Sequence, residues 1–209
     1  MKTALLVAVT LFAFGRSSAG APQVESDPGR ARRVPTRYDP YFRKYAKHYF
    51  GVTFDWRLFK AQAMAESGLK PTARSAAGAR GIMQLMPSTF EQIASVKRQY
   101  ESIDDPQWNI AAGILHDRYL WTLWADHVVE DDRARFMFGA YNAGEATIAR
   151  AQHMALTAKL DPNEWVSVVQ VAPRVPRWRY RETLGYVRTI EENYAFLHPA
   201  PPPAVQGGS

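Results

Sequence analysis

Not one of the 209 residues is a cysteine. This excludes disulfides, thiolate metal sites, a cysteine nucleophile and an acylated cysteine anchor. The five histidines, His48, His116, His127, His153 and His198, show no metal-ligand spacing, and neither a Gly-x-Ser-x-Gly elbow nor a phosphate loop occurs. No metal and no cofactor is expected. Alternating strand patterns are scarce, and no internal repeat is visible. An apolar run long enough to cross a bilayer, about 20 residues, is also missing.

The short apolar run that does exist, Ala4 to Phe14, follows Lys2 and precedes the small residues Ser17 to Ala21. That order reads as a secretory signal. Cleavage after Ala21 would place the scissile bond before Pro22, so residues 1–19 are expected to be removed. The mature protein should then be soluble, in the periplasm or secreted. Removal takes Lys2 and Arg16 from the 26 basic residues and none of the 20 acidic ones, leaving a formal +4. This mild basicity suits an anionic partner such as cell-wall polymer, and by itself fits nucleic acid or a membrane surface equally. Export argues against nucleic acid. The Arg-rich patches Arg30 to Arg33 and Arg174 to Arg181 have the same readings, plain solvated surface included.

Residues 20–39, rich in Arg and Pro, read as a disordered linker, and the uncharged Pro/Gly-rich stretch 199–209 as a disordered tail that leaves docking to a cell-envelope assembly open. Residues 40–198 are expected to form one monomeric, mostly α domain, large enough to bury a core without crosslinks. Helices are expected over Tyr41 to Phe50, from an Asp55 cap to Glu66 with Gly68 as the stop, and from Ser88, whose pairing with Glu91 offers a capping box. Asp105-Pro106 opens another through Trp121, and Glu130-Asp131-Asp132 a further one before Phe136. Beyond Gly144, Ala146 to Leu160 and Arg181 to Leu197 continue the helical pattern, while Val166 to Val171 reads as a strand.

Glu66 stands out within that pattern. It ends the apolar run Ala61 to Ala65 directly before Ser67-Gly68. A helix C-terminus carries about half a negative charge, and apolar neighbours withhold water, so both effects raise the pKa of the acid. A general acid working near neutral pH requires this. In the following loop Gly78 and Gly81 permit a tight turn. Gln84, inside the apolar segment Ile82 to Met86, needs a partner, either backbone or a ligand hydroxyl.

Glu66-Ser67, Gly81-Ile82-Met83-Gln84-Leu85-Met86-Pro87 and Ala140-Tyr141-Asn142-Ala143-Gly144 together resemble the signature blocks of the soluble-type (SLT) lytic transglycosylase domain, a lysozyme-like fold. Leu160 to Trp165 and Glu182 to Val187 resemble later segments of its membrane-bound F-type branch. The resemblance covers about Asp55 to Tyr194 and implies an enzyme acting on peptidoglycan glycan strands. It makes Glu66 the sole catalytic acid/base and puts Ser75 near the reacting sugar. Gln84 and Met86 would line the glycan groove, Tyr141 and Asn142 would stand beside the glutamate, and Tyr186 would be a second tyrosine near it.

A glycosidase ordinarily uses two carboxylates. Asp104 and Asp105, before Pro106, read instead as helix caps, and Glu130 to Asp132 likewise. A lone Glu66 would protonate the glycosidic oxygen and then take the proton of the C6 hydroxyl, giving a 1,6-anhydromuramoyl product. Three alternatives remain at this point: a goose-type lysozyme using water, a non-catalytic glycan-binding or scaffold protein, and, for Tyr141, a plain core aromatic. The tryptophans fit sugar stacking or core packing.

Overall fold

A computed structural model describes residues 34–128 and 130–198, with only the backbone at residues 130 and 131. The expected signal, the first part of the linker and the 199–209 tail lie outside the described residues. Among the described residues eight α-helices follow in order: α1 (Asp39–Phe50), α2 (Arg57–Ser67), α3 (Pro87–Val96), α4 (Pro106–Leu123), α5 (Glu130–Ala143), α6 (Glu145–Thr157), α7 (Trp165–Val171) and α8 (Tyr180–Leu197), with a 3-10 turn at Ala172–Arg174 before α8. Among the described residues no strand forms. The extended pairings there are isolated bridges, Arg74 with Arg80 and Arg80 with Leu85, in the loop between α2 and α3.

The core grows from one apolar face of each helix. Phe42, Phe59, Ile110, Ile114, Phe136, Met137, Ile148 and Ile190 are fully buried and come from α1, α2, α4, α5, α6 and α8. The most extensive helix contact joins α2 to α8, followed by α1 with α4. Asn193 Nδ2 on α8 donates to the Ala61 carbonyl on α2 at 3.2 Å, and Tyr194 Oη donates to Asp55 Oδ2 at 3.1 Å. These bonds tie the C-terminal part of α8 to the first half of α2 and the residues just before it.

Several expectations need correction. The folded part begins before residue 40: Tyr38 is buried, and Asp39 pairs at 2.6 Å with Lys60, itself almost fully buried. Lys60 is a charge that cannot be buried unpaired, which ties the start of α1 into the core. Residues 166–171 form helix, not strand. Trp165, Val168, Val171 and Ala172 are buried at helical spacing, and packing overrides the β preference of the valines. Ser88 is not a cap, because α3 starts one residue earlier with Pro87 in the first turn and Met86 as its extended N-cap.

The cap expected at Asp105 is present: its carboxylate accepts from the amides of Gln107 and Trp108, at 2.7 and 3.2 Å. Asp104 is not a cap. It pairs with Arg80, whose Nε lies 3.0 Å from Oδ1, and with Arg74 at 3.6 Å. Asp132 accepts from the Trp165 amide at 2.8 Å and from Arg135 at 2.6 Å.

Candidate active site

Glu66 lies in the last turn of α2, which ends at Gly68 in the left-handed conformation (φ 61°). Glycine reaches that conformation without steric cost and lets the chain turn away directly beneath the carboxyl. The residue is half-buried, its carboxyl deep among its neighbours. Burial pushes its pKa from the usual 4.5 up to about 8; a hydrogen bond from Tyr186 acts in the opposite direction. Tyr186 Oη, from α8, donates to Glu66 Oε1 at 2.5 Å. The phenol itself titrates far above its usual range, chiefly through burial and then through the neighbouring Glu66 charge, so it remains a donor.

The loop after α2 forms the wall next to Glu66. Ser67 Oγ donates to the Ile82 carbonyl at 2.8 Å and accepts from the Lys70 amide at 3.2 Å, which staples the helix end to the Gly81–Pro87 segment. Asn109, buried on α4, grips the same segment from the other side. Its Oδ1 accepts from the Met83 amide at 2.8 Å, and its Nδ2 donates to the carbonyls of Arg80 and Ile103 at 3.0 and 2.9 Å. Gly81, at φ 81°, lies so close to that amide that a Cβ would collide with it. One turn on, Gly113 leaves room for the Met83 side chain.

The residues expected to line the site divide into two groups. Tyr186 touches Glu66 directly, and Tyr141 Oη donates to the Met83 carbonyl at 2.8 Å, joining α5 to the loop. Asn142 Oδ1 accepts from Thr183 Oγ1 at 2.8 Å, and Thr183 in turn accepts from Trp178 Nε1 at 2.9 Å, so α5, α8 and the segment before α8 meet at that amide. Gln84 and Ser75 each also bond to the loop itself. Gln84 Nε2 donates to the carbonyls of Ala73 and Gly81 at 3.2 and 2.9 Å, its backbone at φ 46°, and Ser75 Oγ accepts from the Ala79 amide at 3.0 Å. Met86 is half-buried at the N-cap of α3.

Sequence reasoning passed over the layer beneath Glu66. Gln62, one turn before it on α2, is fully buried and donates from Nε2 to Oδ1 of Asp117, fully buried on α4, at 3.1 Å. His116 beside it has its pKa lowered to about 4 by burial and so is neutral. The signal was spacing: Asn109 and Asp117 lie about two turns apart along one buried face of α4, on either side of Gly113, and Gln62 and Glu66 lie one turn apart on α2. Polar residues in register on buried faces mark a shared polar layer.

A helical domain thus presents Glu66, an acid of raised pKa, beside a glycine-shaped loop. The sequence model of the transglycosylase SLT domain matches residues 40–162, more than half of the chain. The chain belongs to the transglycosylase SLT domain family. Its relatives include the membrane-bound lytic murein transglycosylase F of Pseudomonas putida strain W619, 34% identical over 160 residues. That match takes in 75% of this chain and 31% of the relative. The corresponding protein of Salmonella choleraesuis is 34% identical over 164 residues, covering 76% of this chain and 29% of its own length. This SLT chain therefore spans about a third of the length of the curated relatives it matches. Its fold resembles that of the 70 kDa soluble lytic transglycosylase of Escherichia coli, with a TM-score of 0.60 at 24% identity over 80% of this chain and 25% of that one. A 70-kDa soluble lytic transglycosylase in complex with bulgecin A gives a TM-score of 0.58 at 24% identity, covering 79% of this chain and 25% of that one. The SLT domain here is thus lysozyme-like and mostly α.

Proposed function

We propose that this chain is a peptidoglycan lytic transglycosylase that cleaves the β-1,4 bond between N-acetylmuramic acid and N-acetylglucosamine, with Glu66 as general acid and then base. The observation that carries the reading is a single carboxyl at the end of α2 whose pKa is raised to about 8 by burial and which Tyr186 holds by a hydrogen bond. The protonated carboxyl gives its proton to the glycosidic oxygen as the bond to C1 breaks. The resulting carboxylate takes the proton of the C6 hydroxyl while that oxygen closes onto C1. No water is consumed, and the ring-closed product is a 1,6-anhydromuramoyl end. The acid regains its proton in the second step, so each turnover leaves it ready for the next.

Asp104 is engaged by arginines, Asp105 as a cap and Asp132 by Trp165 and Arg135, while Asp117, near Glu66, is fully buried against Gln62, which supports a one-carboxyl mechanism over a pair. Tyr141, Asn142, Met86, Gln84 and Ser75 border the space in front of Glu66 in this reading and contact the glycan, Gln84 and Ser75 also shaping the loop that receives it. We read residues 1–19 as an export signal, which puts a monomeric catalytic domain in the periplasm, and residues 199–209 as a tail available to an envelope partner. Among the described residues no helix is long and apolar enough to cross a membrane.

Mass spectrometry of fragments released from purified peptidoglycan tests the proposal, with Glu66→Gln as control. Products one water lighter than hydrolytic fragments are expected, and none from the variant. Reducing-end products would establish a lysozyme-type hydrolase instead. Glycan retention without release would point to a binding module.

A further inference from the structure

The buried pair beneath Glu66 has a hydrogen-bonding deficit that one proton removes. Gln62 Nε2 donates to Asp117 Oδ1, yet Gln62 Oε1 and Asp117 Oδ2 are both buried with no partner. Two acceptors left over on two side chains already joined by one hydrogen bond are the remaining half of an acid–amide ring. A proton on Oδ2 would donate to Oε1 and satisfy both atoms at once. An ionised Asp117 would instead be a fully buried charge held by one neutral amide, which side chains avoid by taking up a proton.

The groups facing Asp117 lead to the same state. Glu66 and Gln62 approach it from α2, Tyr141 from α5 and Tyr186 from α8, while neutral His116 is its neighbour on α4. No cation is among them. Burial, and secondarily the Glu66 charge, hold the Asp117 carboxyl well above its usual range.

We propose that Asp117 is a positioning residue: a permanently protonated acid that closes a two-bond ring with Gln62 and so fixes the turn of α2 carrying Glu66. The ring has a second effect. A neutral Asp117 places no negative charge behind Glu66, so Glu66 ionises first and does so once per turnover without a competitor. This role rests on Glu66 being the acid/base, whereas the protonation state of Asp117 does not.

The test has two arms. Carbon-13 NMR of the Asp-labelled full-length protein, with Asp117→Asn for assignment, reads the carboxyl directly. The Asp117 resonance is expected at its protonated position from pH 5 to pH 8, and a titration near the ordinary aspartate midpoint, about 3.9, would overturn the proposal. The kinetic arm measures release of glycan fragments. Asp117→Ala is expected to lower kcat about tenfold with little change in KM, by loosening the placement of Glu66. Asp117→Asn, whose amide can rebuild both hydrogen bonds, should recover most of that loss and leave the alkaline limb of the pH profile in place. A limb displaced downward by about one unit in Asp117→Asn would show that a charge had been removed, and would sink the neutral ring. Should the protein release no fragments at all, the functional reading fails while the NMR arm still decides the state of Asp117.

Discussion

Glu66 is an acid kept protonated by its surroundings, and the cost of ionising it should be measurable without substrate. Its folded pKa of about 8 exceeds the unfolded value of 4.5, so the native state holds a proton that the unfolded chain releases between those pH values. The stability this contributes is fully present below about pH 4.5 and is lost as pH rises through about 8. Glu66→Gln removes the titration, so the variant should be the more stable of the two at pH 9, by on the order of 2 kcal/mol once partial exposure is discounted. Paired thermal melts at pH 5 and pH 9 check this, and a difference that does not grow with pH would contradict a raised pKa. As the proposed acid/base, the same group should give an alkaline limb: kcat/KM should fall as pH rises through about 8. Tyr186 stabilises the carboxylate, so Tyr186→Phe should move that limb upward and lower kcat about tenfold, because the charged form needed in the second step loses its donor. A downward move would mean that the phenol acts in some other way.

At the level of elements, the loop between α2 and α3 is shaped by what it packs against as much as by its own residues. Gly81 is held at φ 81° against the Asn109 amide. Gly81→Ala meets both a disfavoured backbone and a collision, and should cost about 2 kcal/mol or more, lowering the melting temperature by more than about 4 °C. Removing the obstacle in Asn109→Ala/Gly81→Ala should give a loss smaller than the sum of the single losses; strict additivity would show that the two do not collide. The loop also marks how far the sequence could be read. Its glycines, the Gly68 stop, the Asp105 cap and the helix carrying Glu66 were legible because each is a local rule obeyed within four residues. Residues 166–171 and Ser88 were misread because β-branched side chains and a cap motif compete with tertiary burial and with Pro87. Asp117 and Gln62 were overlooked for a different reason. Their partnership spans 55 positions and exists only where α2 crosses α4.

For the molecule as a whole, the site depends on a helix that lies beyond the matched SLT stretch. That stretch ends at residue 162, yet Tyr186, which contacts Glu66, sits on α8. α8 also covers α2 through Asn193 and Tyr194, and its Val187 and Ile190 are buried in the core. Without it, α2 would lose its cover at Ala61 and Glu66, and the burial responsible for the raised pKa of Glu66 would diminish. In the proposed mechanism, catalytic chemistry and closure of the core are therefore properties of the same contact. A chain ended after Arg179 should lose cooperative thermal unfolding, as followed by far-ultraviolet circular dichroism, and should release no glycan fragments. A sharp transition at the full-length midpoint would show that α1 to α7 close a core alone. Loss of activity in such a folded chain would then isolate the contribution of Tyr186 and its helix to Glu66 from their contribution to folding.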